Sequence, residues 1–256
     1  MIHKTAIIGK NSKIGESVTI GPYTVVEDDV IIGEGTIIGS NSLIASGSRI
    51  GKNVHIFNNT SIGTIPQDLK FNGEITTLEI GDNTVIREFC QINRGTDYHY
   101  KTVIGKNCLL MAYVHVAHDC IIGDNVILVN GCQIAGHCEV HDYAILSGHV
   151  LTHQFVKIGS HVMVEGGSKV KKDLPPFIKA QGTPLKYGGV NIIGLKRRGF
   201  SEQSIQNISD ALRFVFREKL SRTLAIEKIK GMDLDDPNVR ALLEFLEKSD
   251  RGIMIA

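Results

Sequence analysis

The residues with the clearest chemical potential lie in the segment MAYVHVAHDC, where His115 and His118 are three apart and Asp119 follows directly. An imidazole titrates near neutral pH, so it can take a proton from an attacking hydroxyl or donate a lone pair to a metal ion. A neighbouring carboxylate can fix the tautomer of the ring in either case. Because His137 and His153 follow downstream, the next question is which elements could bring these side chains together.

The sequence around these histidines repeats every six residues. Branched apolar residues occupy ten consecutive positions at this spacing, namely Ile8, Ile14, Ile20, Val26, Ile32, Ile38, Ile44, Ile50, Ile56 and Ile62. The spacing returns at Ile80 and then runs from Ile104 to Val170. A helix has a period near 3.6 and a strand a period of 2, so neither explains six. The pattern resembles the hexapeptide-repeat left-handed parallel β-helix, in which three short strands form one triangular coil.

This repeat predicts where the histidines point. Val116, Ile134 and Thr152 differ by 18, so they lie on one face of successive coils and point inward. Four histidines lie beside these positions without occupying them: His115, His118, His137 and His153. They are expected to face outward in one column. Flat faces of such prisms pair in threefold oligomers, so a homotrimer with the column in a cleft between subunits is expected.

Three other histidines fall on other faces and are assigned no role: His141, His149 and His161. Two segments interrupt the repeat, residues 64–79 and 94–103, and are predicted to be loops ejected from the prism. We expect an all-β left-handed parallel β-helix over residues 1–186, followed by a C-terminal α-helical domain over residues 187–256. Helix starts are predicted after the capping residues Ser201 and Asp236.

Composition excludes several classes of protein. The 28 Lys and Arg residues against 27 Asp and Glu give a net charge of +1, so no global field favours nucleic acid. Neither an apolar run long enough for a membrane span nor the apolar core of a signal peptide is present, and a cytoplasmic protein is expected. The cysteines, an odd number without a CxxC pair, share the small-residue position of the repeat and are predicted to fill the core: Cys90, Cys108, Cys120, Cys132 and Cys138.

Two chemistries are considered for the histidine column. One is a zinc site, as in the γ-class carbonic anhydrases, which resemble this chain in fold but use an HxxxxH ligand pair where this chain has HxxH. The other is general base catalysis of acyl transfer to an alcohol. We favour the second and expect no metal.

Several segments carry a specific resemblance that spans the chain: IPQDLKFNGE, INRGT, VHVAHDC, IAGH, THQF, QGTP and NIIGLKRRGF. On these segments the chain resembles the UDP-N-acetylglucosamine 3-O-acyltransferases of lipid A biosynthesis. The resemblance implies transfer of an (R)-3-hydroxyacyl group from acyl carrier protein to the 3-position of UDP-N-acetylglucosamine or its 3-amino analogue. No cofactor is expected beyond the acyl carrier protein thioester that serves as donor.

The same resemblance implies a role for individual residues. His118 would be the general base, Asp119 would orient it, and the backbone N–H of Gly136 would stabilise the oxyanion. The residues implied in substrate binding are Gln67, Asp68, Lys70, His115, His137, His153, Gln154, Asn191, Arg197 and Arg198. On this basis replacement of His118 by alanine should abolish transfer and leave the fold intact.

Two positions bear on the acyl chain, and two depart from the family pattern. Gly166 matches the position associated with acyl-chain length and leaves space for a long chain, and Met163 is expected to line the same groove. Ile193 stands where the family has an acid, which affects the nucleoside contacts, and Asn93 stands where it has a histidine, which affects packing. Basic residues of the tail are candidates for binding an acidic carrier protein: Lys196, Arg197, Arg198, Arg213, Arg217, Lys219 and Arg222.

Three alternatives remain at this stage. The N-acyltransferase of the same pathway carries a uridine-binding domain before its β-helix, whereas the repeat here begins at Ile8. A metalloenzyme lacks its HxxxxH pair. A non-catalytic scaffold would use the stiff prism without needing the histidine column or the PQDLK segment.

Overall fold

The computed structural model describes residues 1–218 and 220–254. Short strands precede the first loop: β1 Ile7–Ile8, β2 Lys13–Ile14, β3 Thr19–Ile20, β4 Val25–Val26, β5 Ile31–Ile32, β6 Ile37–Ile38, β7 Leu43–Ile44, β8 Ser48–Ile50, β9 His55–Ile56 and β10 Ser61–Thr64. The next strands are β11 Thr77–Ile80, β12 Val85–Ile86, β13 Gln91–Asn93, β14 Lys101–Ile104, β15 Leu109–Leu110, β16 His115–Val116, β17 Ile121–Ile122 and β18 Ile127–Leu128. The last strands are β19 Gln133–Ile134, β20 Glu139–Val140, β21 Ile145–Leu146, β22 Leu151–Thr152, β23 Lys157–Ile158, β24 Met163–Val164, β25 Lys169–Val170, β26 Ile178–Gln181 and β27 Lys186–Val190. The helices are α1 Ile192–Arg197, α2 Glu202–Phe216, α3 Arg222–Lys230 and α4 Pro237–Glu247.

The strands form the three flat sheets of a left-handed parallel β-helix, as the period predicts. The histidine sheet has the order β1-β4-β7-β10-β13-β16-β19-β22-β25. The charged sheet has the order β2-β5-β8-β11-β14-β17-β20-β23, and the apolar sheet has the order β27-β26-β24-β21-β18-β15-β12-β9-β6-β3. Residue 7 pairs with residue 25 in parallel register, so one turn of the prism takes 18 residues. In the apolar sheet, β26 and β27 add an antiparallel hairpin at the C-terminal end.

The inward residue of each hexad forms the core of the prism. From Ile20 to Val170 these apolar side chains are at most 3% exposed. All five cysteines are buried and free, which confirms that they fill the core. Thr152, the polar exception, is also buried, and its hydroxyl accepts a hydrogen bond from the Ala135 backbone N–H at 3.0 Å. The core therefore tolerates a hydroxyl because it has a partner.

The corners between sheets are sharp because one residue in each adopts a positive φ. Asparagine is tolerated in this left-handed region because its short polar side chain can satisfy local hydrogen bonds. One corner uses a ladder of them, at Asn53, Asn83, Asn107 and Asn125. Elsewhere histidines and aromatic residues occupy equivalent positions, and their side chains stack from coil to coil.

The two predicted loops are shorter than the sequence indicated. Residues 77–79 and 101–103 belong to strands β11 and β14 of the charged sheet. Leu78 and Thr102 are buried and pair with each other. The pairing of β11 with β14 therefore extends toward the N-terminus beyond the two residues of an ordinary hexad strand. The ejected segments are therefore residues 65–76 and 94–100.

Strands give way to helices close to the predicted division, since β27 ends at Val190 and α1 begins at Ile192. The predicted caps are confirmed: the Ser201 hydroxyl accepts from the Ser204 backbone N–H, and the Asp236 carboxylate accepts from the Asn238 N–H. Helix α1 was not predicted, because the six-residue helix is too short to show a period.

The C-terminal segment packs back onto the last coil of the prism. The Ser249 hydroxyl donates to the buried Asp173 carboxylate at 2.7 Å, and Asp173 exchanges backbone hydrogen bonds with Gly252 and Met254. Phe245 of α4 lies edge-on to the His141 ring, with 5.8 Å between centroids. None of the helices described here combines the length and apolar character that a membrane crossing requires.

Candidate active site

Three neighbouring strands of the histidine sheet hold the predicted column. His115 lies in β16, His137 follows β19 and His153 follows β22, and β16, β19 and β22 are hydrogen-bonded neighbours in that order. Adjacent strands are about 4.8 Å apart, so the column spans about 10 Å. The prediction that these histidines share one face is confirmed.

His118 and Asp119 form a hydrogen-bonded pair at the corner after β16. The His118 Nδ1 atom lies 2.7 Å from Asp119 Oδ2. Asp119 also accepts hydrogen bonds from the Thr96 backbone N–H at 3.0 Å, the Thr96 hydroxyl at 2.7 Å and the His99 N–H at 3.2 Å. Burial alone would raise the pKa of Asp119, but the hydrogen bonds from His118, Thr96 and His99 outweigh it and hold that pKa at about 2. The carboxylate is therefore ionised at neutral pH and fixes the His118 proton on Nδ1.

The His118 side chain lies outside the prism core, as predicted, but it is not open to solvent. It is 4% exposed. Its Nε2 atom lies 3.8 Å from Asp68 Oδ2 of the first loop, and its ring meets the His137 ring edge-on at a centroid distance of 4.9 Å. The sequence could not show this cover, because it comes from a loop some fifty residues away along the chain.

Gly136 lies directly against the His118–Asp119 pair. A β-carbon at this position would approach His118 Cε1 and Nε2 to 2.8 Å, so only glycine leaves the ring in place. Its backbone N–H has no acceptor among the residues that the structure describes. This free donor next to His118 is what stabilisation of an oxyanion requires.

His137 is held between aromatic rings. It stacks on Phe155 with a centroid distance of 4.3 Å and an interplanar angle of 1°, and Tyr98 of the second loop packs edge-on against it at 4.6 Å. Its Nδ1 atom lies 3.8 Å from Asp119 Oδ2, too far for a hydrogen bond. Burial lowers the pKa of His137, although the Asp119 charge opposes this, and the ring is favoured in its neutral form.

The first loop brings its predicted binding residues to the rim of this pocket. Asp68 is half-buried, whereas Gln67 and Lys70 are exposed. Asn93 at the end of β13 holds the start of the first loop, and Arg94 at the start of the second loop bonds to the turn between β7 and β8. The Asn93 side-chain amide donates to Thr64 Oγ1 at 2.9 Å and to the Ile65 carbonyl at 2.8 Å, and the Arg94 guanidinium donates to the Ser46 carbonyl at 2.8 Å.

The remaining members of the column lie beside this pocket. His115 is half-buried, its Nδ1 is 3.2 Å from the Gln91 carbonyl oxygen, and burial lowers its pKa. His153 and Gln154 are exposed one coil beyond His137. These side chains could contact a ligand that extends along the column.

Other predicted binding residues lie on a different face. Asn191, Arg197 and Arg198 line a cavity of about 710 Å³ on the apolar sheet, together with Met163. Ile193, at the same cavity, is 68% exposed. A single copy of the chain therefore does not bring these residues together with His118. Gly166 is exposed and lies near the Gly148 carbonyl, outside this cavity lining.

A metal ion fits poorly between His118 and Asp119. His118, Asp119 and His137 offer ligand atoms within 4.8 Å of one another. The His118 to Asp119 separation of 2.7 Å is a hydrogen-bond distance. Two ligands of a tetrahedral zinc ion, each about 2.1 Å from the metal, would be about 3.4 Å apart. This geometry favours an imidazole that carries a proton on Nδ1.

Sequence reasoning missed three residues of the pocket. Thr96 supplies two of the hydrogen bonds to Asp119, and Tyr98 and Phe155 hold His137. The signal for Phe155 was available, because it follows His137 by 18 residues and so occupies the same corner one coil later. Thr96 and Tyr98 had no such signal, since the loop does not follow the repeat.

Comparison with known proteins finds family models and relatives that match this chain. Residues 173–254 match the family model described as UDP N-acetylglucosamine O-acyltransferase, domain 2, and residues 11–46 and 101–136 match the bacterial transferase hexapeptide. An acyl-carrier-protein–UDP-N-acetylglucosamine O-acyltransferase of Aliarcobacter butzleri is 47% identical over 98% of this chain and 97% of its own. One of Albidiferax ferrireducens is 43% identical over 99% and 98%.

Solved structures of similar proteins superpose over nearly the whole length. A UDP-N-acetylglucosamine acyltransferase of Bacteroides fragilis has a TM-score of 0.96 and 44% identity, covering 99% of this chain and 100% of its own. The enzyme of Francisella novicida has a TM-score of 0.97 and 38% identity, covering 100% and 94%. The chain therefore belongs to the family of acyl-carrier-protein–UDP-N-acetylglucosamine O-acyltransferases.

Proposed function

We propose that this chain transfers an (R)-3-hydroxyacyl group from acyl carrier protein to the glucosamine 3-position of UDP-N-acetylglucosamine, the first step of lipid A biosynthesis. The observation that carries the proposal is the 2.7 Å contact between His118 Nδ1 and Asp119, beside the free N–H of Gly136. The names of the curated relatives support it and do not favour the N-acyltransferase, metalloenzyme or scaffold alternatives.

We infer the path of one proton from this geometry. Asp119 holds the Nδ1 proton of His118, so Nε2 is left with a lone pair for the acceptor hydroxyl. His118 takes the hydroxyl proton as the oxygen attacks the thioester carbonyl. Collapse of the tetrahedral intermediate breaks the carbon–sulfur bond, and His118 returns the proton to the leaving thiolate. General base catalysis of this kind contributes about 10²–10⁴-fold to a rate.

Backbone and loop residues complete the chemistry. The Gly136 N–H donates to the carbonyl oxygen as it becomes an oxyanion. Asp68, 3.8 Å from His118 Nε2, is placed to accept a hydrogen bond from a sugar hydroxyl beside the attacking one. Lys70 is exposed on the same loop and suits a phosphate as a point charge.

We propose a homotrimer, in part because the binding residues are divided between two faces of one copy. His118 lies at the corner between the histidine and charged sheets, whereas Asn191 and Arg197 lie by the apolar sheet. The outward strand residues of the apolar sheet form an apolar stripe: Val85, Leu109, Ile127, Ile145 and Met163. The charged sheet instead presents Arg49, Glu79 and Lys157 outward. Packing the apolar stripe of one copy against the histidine sheet of the next would complete each site.

The partners and compartment are part of the same proposal. Basic residues around the helical domain, from Lys196 to Arg222, offer a surface to an acidic carrier protein; Lys219 lies outside the described residues. Gly166 leaves the space for a long acyl chain. A reducing cytoplasm suits the five cysteines, which are all free and buried. Burial raises the pKa of the Cys90 thiol to about 12.

Acyl transfer by the purified protein tests the proposal directly. UDP-N-acetylglucosamine and its 3-amino analogue would each be offered with a series of 3-hydroxyacyl carrier proteins, and the products identified by mass spectrometry. We expect product with one acceptor and a preference for a long chain. The exposed His149 supplies a control, since His149→Asn should retain full activity. A folded protein that forms no product with any pair would refute the proposal.

A further inference from the structure

A second aromatic column stands at the corner between the charged and apolar sheets, at the end nearest the helices. Tyr143, His161 and Phe177 occupy left-handed corner positions with φ of 60°, 59° and 71°. The His161 ring stacks on Tyr143 at a centroid distance of 4.9 Å and on Phe177 at 5.8 Å, and Phe200 packs against its edge at 5.0 Å. Three other rings therefore pack against His161, a residue assigned no role on sequence grounds.

This column is hydrogen-bonded to the start of helix α1. The His161 carbonyl accepts from the Asn191 side-chain amide at 2.9 Å, and the Asn191 backbone N–H donates to the Phe177 carbonyl at 2.7 Å. The Asn191 side-chain oxygen in turn accepts from the Gly194 N–H and caps the helix. The position of α1 thus depends on the position of His161.

The far end of α1 is fixed to the same column. Arg198 donates to the Tyr143 carbonyl at 3.3 Å, and its guanidinium lies 5.2 Å from the centre of the Tyr143 ring. The charged or titratable groups that face His161 are Arg198 from the helix, Tyr143 beneath it, and Asp142 beside Tyr143. Burial and then the Arg198 charge lower the pKa of His161 to about 4, against an opposing effect of Asp142. The ring is therefore neutral at pH 7.

We infer that His161 is a positioning residue for substrate binding: its ring, packed among Tyr143, Phe177 and Phe200, holds α1 where Asn191 and Arg197 can bind a phosphate group of a substrate. The inference rests on the proposed function, in which Asn191, Arg197 and Arg198 bind substrate, and it takes the group they bind to be a phosphate because a guanidinium pairs well with phosphate oxygens. That phosphate could belong to the sugar nucleotide or to the phosphopantetheine arm of the carrier protein. His161 contacts neither substrate and acts through the helix.

Two variants separate the stacking from the charge. His161→Asn removes the ring and keeps a residue that tolerates positive φ, as Asn125 does at the same corner. His161→Phe keeps an uncharged ring, and Phe155 and Phe177 show that phenylalanine adopts this φ elsewhere in the chain. His149→Asn, at another corner with φ of 58°, is the matched control.

Steady-state kinetics with each substrate varied gives the first result. His161→Asn should raise the KM of the phosphate-bearing substrate held by α1 by about tenfold, the effect of losing one hydrogen bond to a charged group, with kcat within about twofold. His161→Phe should restore KM, and His149→Asn should match the unaltered chain. The substrate whose KM rises identifies the source of the phosphate. Unchanged KM values in a folded His161→Asn would overturn the inference.

A pH series and one further variant complete the test. Below pH 5 a protonated His161 would face Arg198, so UDP-N-acetylglucosamine or carrier-protein binding, measured by calorimetry, should weaken more in the unaltered chain than in His161→Phe. Equal weakening in both would contradict the inference. Arg197→Ala distinguishes a failure of the inference from a failure of the proposed function. If it leaves both affinities unchanged, the substrate-binding role of Arg197 in the proposed function fails; if it weakens binding while His161→Asn does not, only the inference fails.

Discussion

Asp119 shows how one buried carboxylate defines the reactivity of its neighbour. It is 1% exposed and accepts hydrogen bonds from His118, Thr96 and His99. Its Oδ1 atom accepts from the backbone N–H groups of Thr96 and His99, which can only donate. An amide in its place would therefore turn its oxygen toward them and its NH₂ group toward His118. Replacement therefore changes the proton on His118 without changing the shape of the pocket.

We expect Asp119→Asn to lower kcat by about 10²–10⁴-fold, because His118 Nδ1 would have to accept a hydrogen bond and its proton would move to Nε2. The KM for UDP-N-acetylglucosamine should change little. Steady-state kinetics measures both constants, and a thermal melt shows whether the variant is folded. A kcat within threefold of the unaltered chain would show that Asp119 does not set the tautomer.

His118→Ala should abolish measurable transfer and leave the midpoint of thermal unfolding within a few degrees. The ring contributes to no inward position of the repeat, although it is buried beneath Asp68. Its loss would leave Asp119 with the donors of Thr96 and His99. A large drop in the midpoint would instead mean that His118 is part of the folding core.

The pH dependence of stability follows from His161, whose pKa falls from an ordinary 6.5 to about 4 on folding. Between these values the unfolded chain binds more protons than the folded one, so the free energy of unfolding is constant above pH 6.5 and falls as the pH drops from 6.5 through 4. His161→Phe should show a smaller fall over that window. Urea unfolding at a series of pH values measures the difference, and parallel curves for the two proteins would contradict the assignment.

The six-residue repeat made the strands of the prism predictable, but it did not predict the contacts that the loops make around the pocket. Inward positions such as Val116 and Ile134 are fixed by a period that every coil repeats, and so is the shared face of His115, His137 and His153. The loops follow no period, and their contacts depend on distant partners. Thr96 therefore contacts Asp119, and Asp68 contacts His118, in ways that no local sequence pattern predicts. Helix α1 was not predicted because its six residues are too few to show an apolar period.

Asn93, the last residue of β13, is hydrogen-bonded to the start of the first loop, which gives it a packing role at the position where the family has a histidine. We expect Asn93→Ala to raise the KM for UDP-N-acetylglucosamine several-fold with a smaller effect on kcat, because the Thr64 and Ile65 hydrogen bonds that anchor the Asp68 loop would be lost. Kinetics at varied sugar nucleotide checks this. The His99 backbone N–H donates to Asp119 on the other side of the second loop. His99→Ala keeps this donor and the hydrogen bonds of Asn93, so it is a matched control.

The three faces of the prism differ in the side chains that they present outward. Ile127 belongs to the apolar stripe between Leu109 and Ile145. Ile121 occupies the equivalent outward position on the charged sheet, between Val103 and Glu139, and is 40% exposed. The two isoleucines therefore have the same backbone setting and different surroundings in the proposed trimer.

This pair gives a direct test of assembly. Ile127→Lys should reduce the mass measured by light scattering from that of a trimer toward that of a single chain, because association would bury an ammonium group without a partner, at a cost of several kcal/mol. Transfer should fall with the mass, since Asn191 and Arg197 of one copy would no longer face His118 of another. Ile121→Lys should keep both mass and activity, because its face stays in water. If Ile127→Lys remained trimeric and active, the apolar stripe would not be the subunit interface, and the two groups of binding residues would have to serve separate ligands.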